Sequence, residues 1–473
     1  MTNWLPNLSD GNGPLYMRLA DHIETAISSG ELAAGTKLPP QRNLAFDLGV
    51  TIGTVSRAYS LVHERGLVSG EVGRGTYVNS RHTPTPSIPV DHGSSAPASA
   101  APTPVDTKQL SKLDTTAAPT VGQAALIEQH LAAIMAERAA QVASYARDFP
   151  EEWSVAGARW LAQNGWSPSP ENVVPTIGAH AAVMGIIGAV TSPGDRIAFE
   201  HVTYSQISRS AALAGRRIAL VDSDENGIIP EDFERVCAQQ HPKMIFLMSS
   251  GQNPTTATLP LERRKAIADI AHRHNVWIIE DNLYGAMCRD DIPLIAQLAP
   301  EQTFLVGSLS KSVAAGVRGG WVACPPHFST RVRTAHKMMT GGLPFLLAEL
   351  CSRLVLSGDA HRIREACIAE VNAREQMVRQ IFSGLEFNSN PDIAFVWLKL
   401  PEPWLSGTFR NAARKEGILI DDEDEFKAGR SEKVYHRVRI SFSAPNTRDE
   451  LARHLHTLRR LLDNGSVSYD SMA

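Results

Sequence analysis

Cysteine is scarce, neither sign of charge prevails, and no long apolar run is present. The five cysteines, at 237, 288, 324, 351 and 367 of a 473-residue chain, form no CxxC pair and no metal-ligand spacing. Neither a disulfide framework nor a metal site is expected; reduced thiols in a cytoplasmic protein are. No apolar stretch reaches the ~20 residues of a membrane span, so no membrane contact is expected. The opening MTNWLPNLSDG has neither the basic start nor the apolar centre of a secretory signal. Net charge is −4, from 46 Lys/Arg and 50 Asp/Glu, which argues against a uniformly basic surface. The first eighty residues are no exception. Six basic residues (Arg18, Lys37, Arg42, Arg57, Arg65, Arg74) against seven acidic ones leave −1. A nucleic-acid contact there depends on where single arginines point. What the chain does have is length and apolar content. Hydrophobic residues make up 43% and charged ones 20%, enough for two or three domains with a sizeable core.

The pattern divides the chain into residues 12–80, 81–120, 121–340 and 341–473. In the first part, Leu15, Leu19, Ile23 and Ile27 share one face of a helix that starts at Pro14 and stops at Gly30. QRNLAFDLGV reads as a short helix ended by Gly49. TIGTVSRAYSLVHERG reads as another, capped by Thr51 or Thr54 and stopped by Gly66. Two helices across a tight turn fit a helix-turn-helix, and LVSGEVGRGTYV adds a glycine-tipped β wing. Six prolines between residues 81 and 104, interleaved with Ser, Thr and Ala, predict an extended linker. From about 121 onward, apolar runs alternate with helical patterns. RIAFE, RIALVD, MIFLMSS, VWIIEDN, TFLVGSLS and GGWVACP read as strands of a mostly parallel sheet covered by helices on both faces. A long helical stretch (345–385), then IAFVWLKL, GILIDD, VRISFS and a last helix predict a small C-terminal α/β subdomain.

Ligands of open α/β sheets bind beyond the carboxyl ends of the strands, so the polar residues there carry the functional signal. VWIIED ends in Asp281. MIFLMSS leads to Asn253. TFLVGSLSK ends in Ser308, Ser310 and Lys311. A strand-to-helix turn at Gly178 leaves the amides of Ala179 and His180 at a helix start. One ligand accounts for a lysine, a carboxylate, an amide and a phosphate cup in one crevice: pyridoxal 5′-phosphate. Its aldehyde takes a lysine amine as a Schiff base, a role for Lys311. Its ring nitrogen needs a carboxylate, Asp281. Its phenolate oxygen needs donors, Asn253 and Tyr284. Its phosphate suits a helix start with Ser308, Ser310 and Arg318. His180 and Trp153 are read either as ring-stacking residues or as core.

NPT, EDNLYG and SLSKSVAAGVRGGW, in this order, resemble the motifs of fold-type I pyridoxal-phosphate enzymes, the aspartate aminotransferase superfamily, over roughly 120–465. The resemblance implies that Tyr204 lies near the ring and that Arg439 clamps an effector carboxylate. Arg437, on the same strand, competes for that role. GTKLPPQRNLA, TVSRAY and GRGTYV resemble the winged helix of GntR regulators. The two parts on one chain resemble the MocR subfamily. The helix from about 52 would then enter the major groove. Thr51, Thr54, Ser56 and Arg57 face the DNA, Arg42 meets a phosphate, and Arg74 is at the wing tip. The chain departs from many relatives at Ile52 and Gly53, where an arginine is common.

Two functions follow. The first is a transcriptional regulator of double-stranded operator DNA that senses an amine or amino-acid effector, or pyridoxal phosphate itself, in a head-to-tail, domain-swapped homodimer. The second is a working aminotransferase with a vestigial or autoregulatory head. A winged helix that a transaminase does not need favours the first.

Overall fold

The computed structural model describes residues 4–6, 14–65, 67–71, 75–79, 110–145 and 149–464. The chain forms two compact units, one within residues 1–102 and one within 103–473.

The first unit holds helices α1 (Leu15–Ser29), α2 (Gln41–Asp47) and α3 (Ile52–Glu64) and an antiparallel pair, β1 (Val68–Glu71) and β2 (Gly75–Val78). Leu19, Ile23 and Ile27 of α1 are buried with Leu44, Val55, Val62, Val68 and Val78 in one small core. Each fully buried Leu, Ile or Val there contributes about 1.5–3 kcal/mol. Two expectations shift. Pro14 precedes α1 as its N-cap. Leu15, the first residue of the predicted stripe, is 41% exposed, because it lies at the helix end beyond the core. Thr51 caps α3: its Oγ1 accepts from the Thr54 amide. Gly66 and Arg74 lie outside the described residues.

The second unit is built on seven strands: β4 (Val173–Thr176), β5 (Arg196–Glu200), β6 (Arg217–Val221), β9 (Met244–Leu247), β10 (Trp277–Asp281), β11 (Thr303–Ser308) and β12 (Gly320–Ala323). Helices α4 (Gln123–Val142) and α5 (Glu151–Leu161) precede them in the chain. Two-residue strands β3 (Ser111–Lys112), β7 (Ser223–Asp224) and β8 (Gly227–Ile228) lie outside that sheet. The order is β4-β12-β11-β10-β9-β5-β6, with β12 antiparallel to both neighbours and the other pairs parallel. The central strands are buried on both faces, which explains their continuous Ile, Val, Leu and Phe content. Pro175 falls on β4, an edge strand, where its missing amide costs no ladder bond.

A second sheet has the order β13 (Phe387–Ser389), β14 (Phe395–Lys399), β17 (Arg437–Ser441), β16 (Asp421–Asp422), all antiparallel. It packs with the helices Asp359–Ile381, Ser406–Lys415 and Arg448–Asn464 around their own core, the small α/β subdomain. The segment 110–119, which composition assigns to the linker, does not behave as one. β3 pairs in parallel with β15 (Ile418–Leu419), and Leu113 is fully buried. The Ser111 amide donates to the Gly417 carbonyl and Leu113 enters the small subdomain's core, which ties this segment down.

Candidate cofactor cavity and DNA-contact helix

Sheet topology brings the cavity together. Asp281 ends β10 and Ser308 ends β11, while Asn253 follows β9 and Lys311 follows β11. All are at carboxyl ends of neighbouring parallel strands. Across from them, β4 turns into helix α6 (Gly178–Val190), whose first amides have no helical acceptor. The result is a cavity of about 280 Å³ whose wall includes Lys311, Asp281, Asn253, Tyr284, Tyr204 and Arg318. Gly178, Ala179, His180, Ser310 and Arg439 also line it.

The polar chemistry is graded across the cavity. Asp281 is 6% exposed, and the one hydrogen bond to its carboxylate among the described residues comes from the Leu283 amide. Burial pushes its carboxyl up to about 6, against the opposing pull of Leu283 N–H and the Lys311 charge. A cation placed beside it would restore the ionised form. Lys311 Nζ lies 5.8 Å from the centre of the Tyr284 ring. Arg318 has a left-handed backbone (φ 50°), a strained state that costs about 1–3 kcal/mol. It lies against the start of α6. Gly178 adopts the left-handed backbone (φ 73°) that this strand-to-helix turn uses and that other residues rarely take. A guanidinium and free helix-start amides on one wall form an anion site.

His180 lies edge-on to Tyr204, centroids 6.5 Å apart, and its Nε2 is 3.2 Å from Ser210 Oγ. Burial and then the Arg318 charge hold its pKa below the usual value. Burial, Asp281 and Tyr284 raise that of Tyr204, whose hydroxyl donates to Gln206.

Arg439 is stacked between Phe426 (4.8 Å) and Phe395 (5.5 Å). Its Nη1 donates to Asn253 Oδ1 at 2.9 Å, and its Nη2 to the Asp114 carbonyl and to Asp421. Asp421 is its direct cross-strand partner on β16. Burial pushes the Asp421 carboxyl up to about 6, against the pull of Arg439. Arg437 is committed elsewhere, to Asn388, Glu386 and the Trp397 carbonyl.

One sequence expectation is corrected, and one open alternative is resolved. Ser308 does not line the cavity: its hydroxyl donates to the Gly319 carbonyl and to Ser310, fixing the loop from behind. Trp153 is core: it packs on Phe149 and Phe345, and its Nε1 donates to Glu349. Sequence reasoning missed Asp114, Thr115 and Thr116, which also line the cavity. Their only signal was position, at the end of a proline-rich stretch.

In the first unit, Arg42 and Arg57 are exposed on α2 and α3, and no ion pair holds Arg57 among the described residues. Glu24 pairs with Arg65. Thr51 and Thr54 hydroxyls are 3.0 Å apart at the start of α3, with Ser56 two residues further along it.

Two family models match: "Bacterial regulatory proteins, gntR family" over residues 15–78 and "Aminotransferase class I and II" over 121–458. The chain belongs to the MocR subfamily of GntR regulators. This MocR-type chain is 30% identical to the HTH-type transcriptional regulator YdeF of Bacillus subtilis, covering 98% of this chain and 97% of that one. It is 24% identical to the rhizopine catabolism regulatory protein MocR of Rhizobium meliloti, over 72% and 71% of the two chains. Its second unit shares the fold of LysN, the α-aminoadipate aminotransferase of Thermus thermophilus solved with N-(5′-phosphopyridoxyl)-L-leucine. The TM-score is 0.67 at 20% identity, over 76% and 93% of the chains. The MocR-type regulator thus joins a GntR DNA-binding domain to an aminotransferase-like domain, and no helix among the described residues is long and apolar enough to cross a membrane.

Proposed function

We propose that this regulator binds pyridoxal phosphate on Lys311 and that an amine or amino-acid effector, or the cofactor itself, alters its hold on operator DNA. The observation that carries the reading is the buried Asp281 carboxylate, pushed up to about 6 and lacking a cationic hydrogen-bond donor, in the same cavity as Lys311 and the Arg318 anion wall. That set fits a ligand with an aldehyde, a basic ring nitrogen and a phosphate. When bound, pyridoxal phosphate supplies an aldehyde that exchanges amine partners. The protein's residues do the rest. Lys311 offers the amine. Asp281 holds a proton on the ring nitrogen. Asn253 and Tyr284 face the ring oxygen. Arg318, Ser310 and the amides of Ala179 and His180 take the phosphate. Arg439 offers a guanidinium to an effector carboxylate. A homodimer is part of the same reading.

On α3, Thr51, Thr54, Ser56 and Arg57 would meet the major groove, with Arg42 on a phosphate. A gel shift on the intergenic DNA beside the gene, with and without pyridoxal phosphate and candidate amines, tests the reading. A mobility change that depends on cofactor supports it. Steady transamination with no DNA binding would instead favour an aminotransferase with a vestigial head.

A further inference from the structure

Lys311 does not stand free in the cavity. Its ammonium donates to the Thr116 carbonyl at 2.7 Å and lies 3.1 Å from Thr116 Oγ1. The Tyr284 hydroxyl donates to that same Oγ1 at 2.8 Å. Two residues earlier, the Asp114 carbonyl accepts from Arg439 Nη2 at 2.7 Å. Between them, the Thr115 carbonyl accepts from Ser441 Oγ at 2.8 Å. One three-residue stretch therefore occupies the amine that would bond an aldehyde and the guanidinium that would pair with a carboxylate. The stretch is tethered on both sides. Leu113 is buried and its carbonyl takes the Ser441 amide, while the Ala117 amide donates to Ser443 Oγ. Just before it, β3 pairs with β15 of the same unit.

We propose that Asp114–Thr116 reads the occupancy of the site. Thr116 is a positioning residue for Lys311 and Tyr284, and Asp114 for Arg439, only while no ligand claims them. The inference rests on the cofactor reading above. When the Lys311 nitrogen bonds to an aldehyde carbon, two of its protons leave with the aldehyde oxygen as water. One N–H at most remains, and it cannot serve both Thr116 oxygens. A carboxylate on Arg439 competes with the Asp114 carbonyl in the same way. The ligand class that breaks both sets of hydrogen bonds is an aldehyde joined by a carboxylate; the cofactor alone breaks the first.

Hydrogen exchange of peptides covering 110–119, in the full chain with and without pyridoxal phosphate, tests this, with visible absorbance as an independent record of Lys311 loading. Lys311→Met, which deletes the donor without a ligand, is measured beside it. Exchange in the wild type should rise about tenfold on loading, the scale for removing one charge-assisted hydrogen bond. Lys311→Met should exchange at the faster rate from the outset and ignore the cofactor. Unchanged or slower exchange in protein whose absorbance shows loading overturns the inference and leaves the cofactor reading standing. So does a Lys311→Met segment as protected as the wild type. Absence of the absorbance band overturns the cofactor reading, and the inference with it.

Discussion

Asp421 is the cross-strand partner and counter-ion of Arg439: β16 and β17 place the two side by side, and the carboxylate meets Nη2 at 2.5 Å. The guanidinium assigned to an effector carboxylate thus already has an internal one. Desolvation raises the Asp421 carboxyl to about 6, Arg439 pulls it down, and Asp114 and Glu425 push it up. Below about 6 the carboxyl is protonated and Arg439 carries an unbalanced positive charge. Above it the pair is internally neutral. Binding of a dicarboxylate probe such as maleate to the loaded protein should therefore weaken as pH rises, by up to about tenfold per unit above 6. Titrations at pH 5.5 and 8 check the sign; tighter binding at pH 8 contradicts it.

Arg439→Ala should cost the same probe about 1.5–3 kcal/mol, the worth of a charged hydrogen-bond pair. It should leave cofactor affinity within a few-fold, because the phosphate is assigned to Arg318 and the α6 amides and not to Arg439. Isothermal titration with maleate and with pyridoxal phosphate separates the two effects. Arg437→Ala should leave both unchanged, since that side chain serves Asn388 and Glu386.

Asp281→Asn keeps the shape and removes the charge. It should weaken cofactor retention by about one to two orders of magnitude, the scale of breaking a buried charge pairing. Stability should not fall with it. A carboxyl whose folded pKa is raised from 3.8 to about 6 loses stability for the folded state as pH rises between those values, and the loss is complete above about 6, so the ligand-free variant should be at least as stable at pH 8 as the wild type. Thermal unfolding with and without cofactor checks this.

Gly320→Ala should disturb the phosphate wall from below. A Cβ at 320 would lie 3.0 Å from the Gly178 Cα and 3.1 Å from the Gly307 carbonyl, both backbone atoms. Forcing them apart costs about 1–3 kcal/mol and shifts the first turn of α6. The melting temperature and the phosphate affinity should drop together.

Arg42→Ala with Arg57→Ala should weaken operator binding and lower its salt dependence, by about one counter-ion for each phosphate that is no longer neutralised. Fluorescence anisotropy across a salt series measures that slope. An unchanged slope would place the DNA-binding surface on another face.

Much of this was legible in the sequence because each element was locally consistent. RIAFE is the whole of β5, and the Gly178 turn starts α6 at the residue expected. Strand ends fix which polar residues meet, so Asp281, Asn253 and Lys311 could be grouped from runs of Ile, Val and Leu alone. Ser308 misled because neighbours on a tight loop look equivalent in sequence. The fold turns its hydroxyl to Gly319 and leaves Ser310 on the cavity. Thr116 was illegible for another reason. Its role depends on partners 168 and 195 residues away, and no local spacing encodes such a pairing. Asp421 was hidden likewise, since register between β16 and β17 is a tertiary outcome.

The most direct measurement is borohydride reduction of the full-length protein after addition of pyridoxal phosphate, followed by peptide mass spectrometry. The account predicts a visible absorbance band, one cofactor adduct on the peptide carrying Lys311, and neither in Lys311→Ala. A colourless protein, or an adduct that persists in Lys311→Ala, would contradict it.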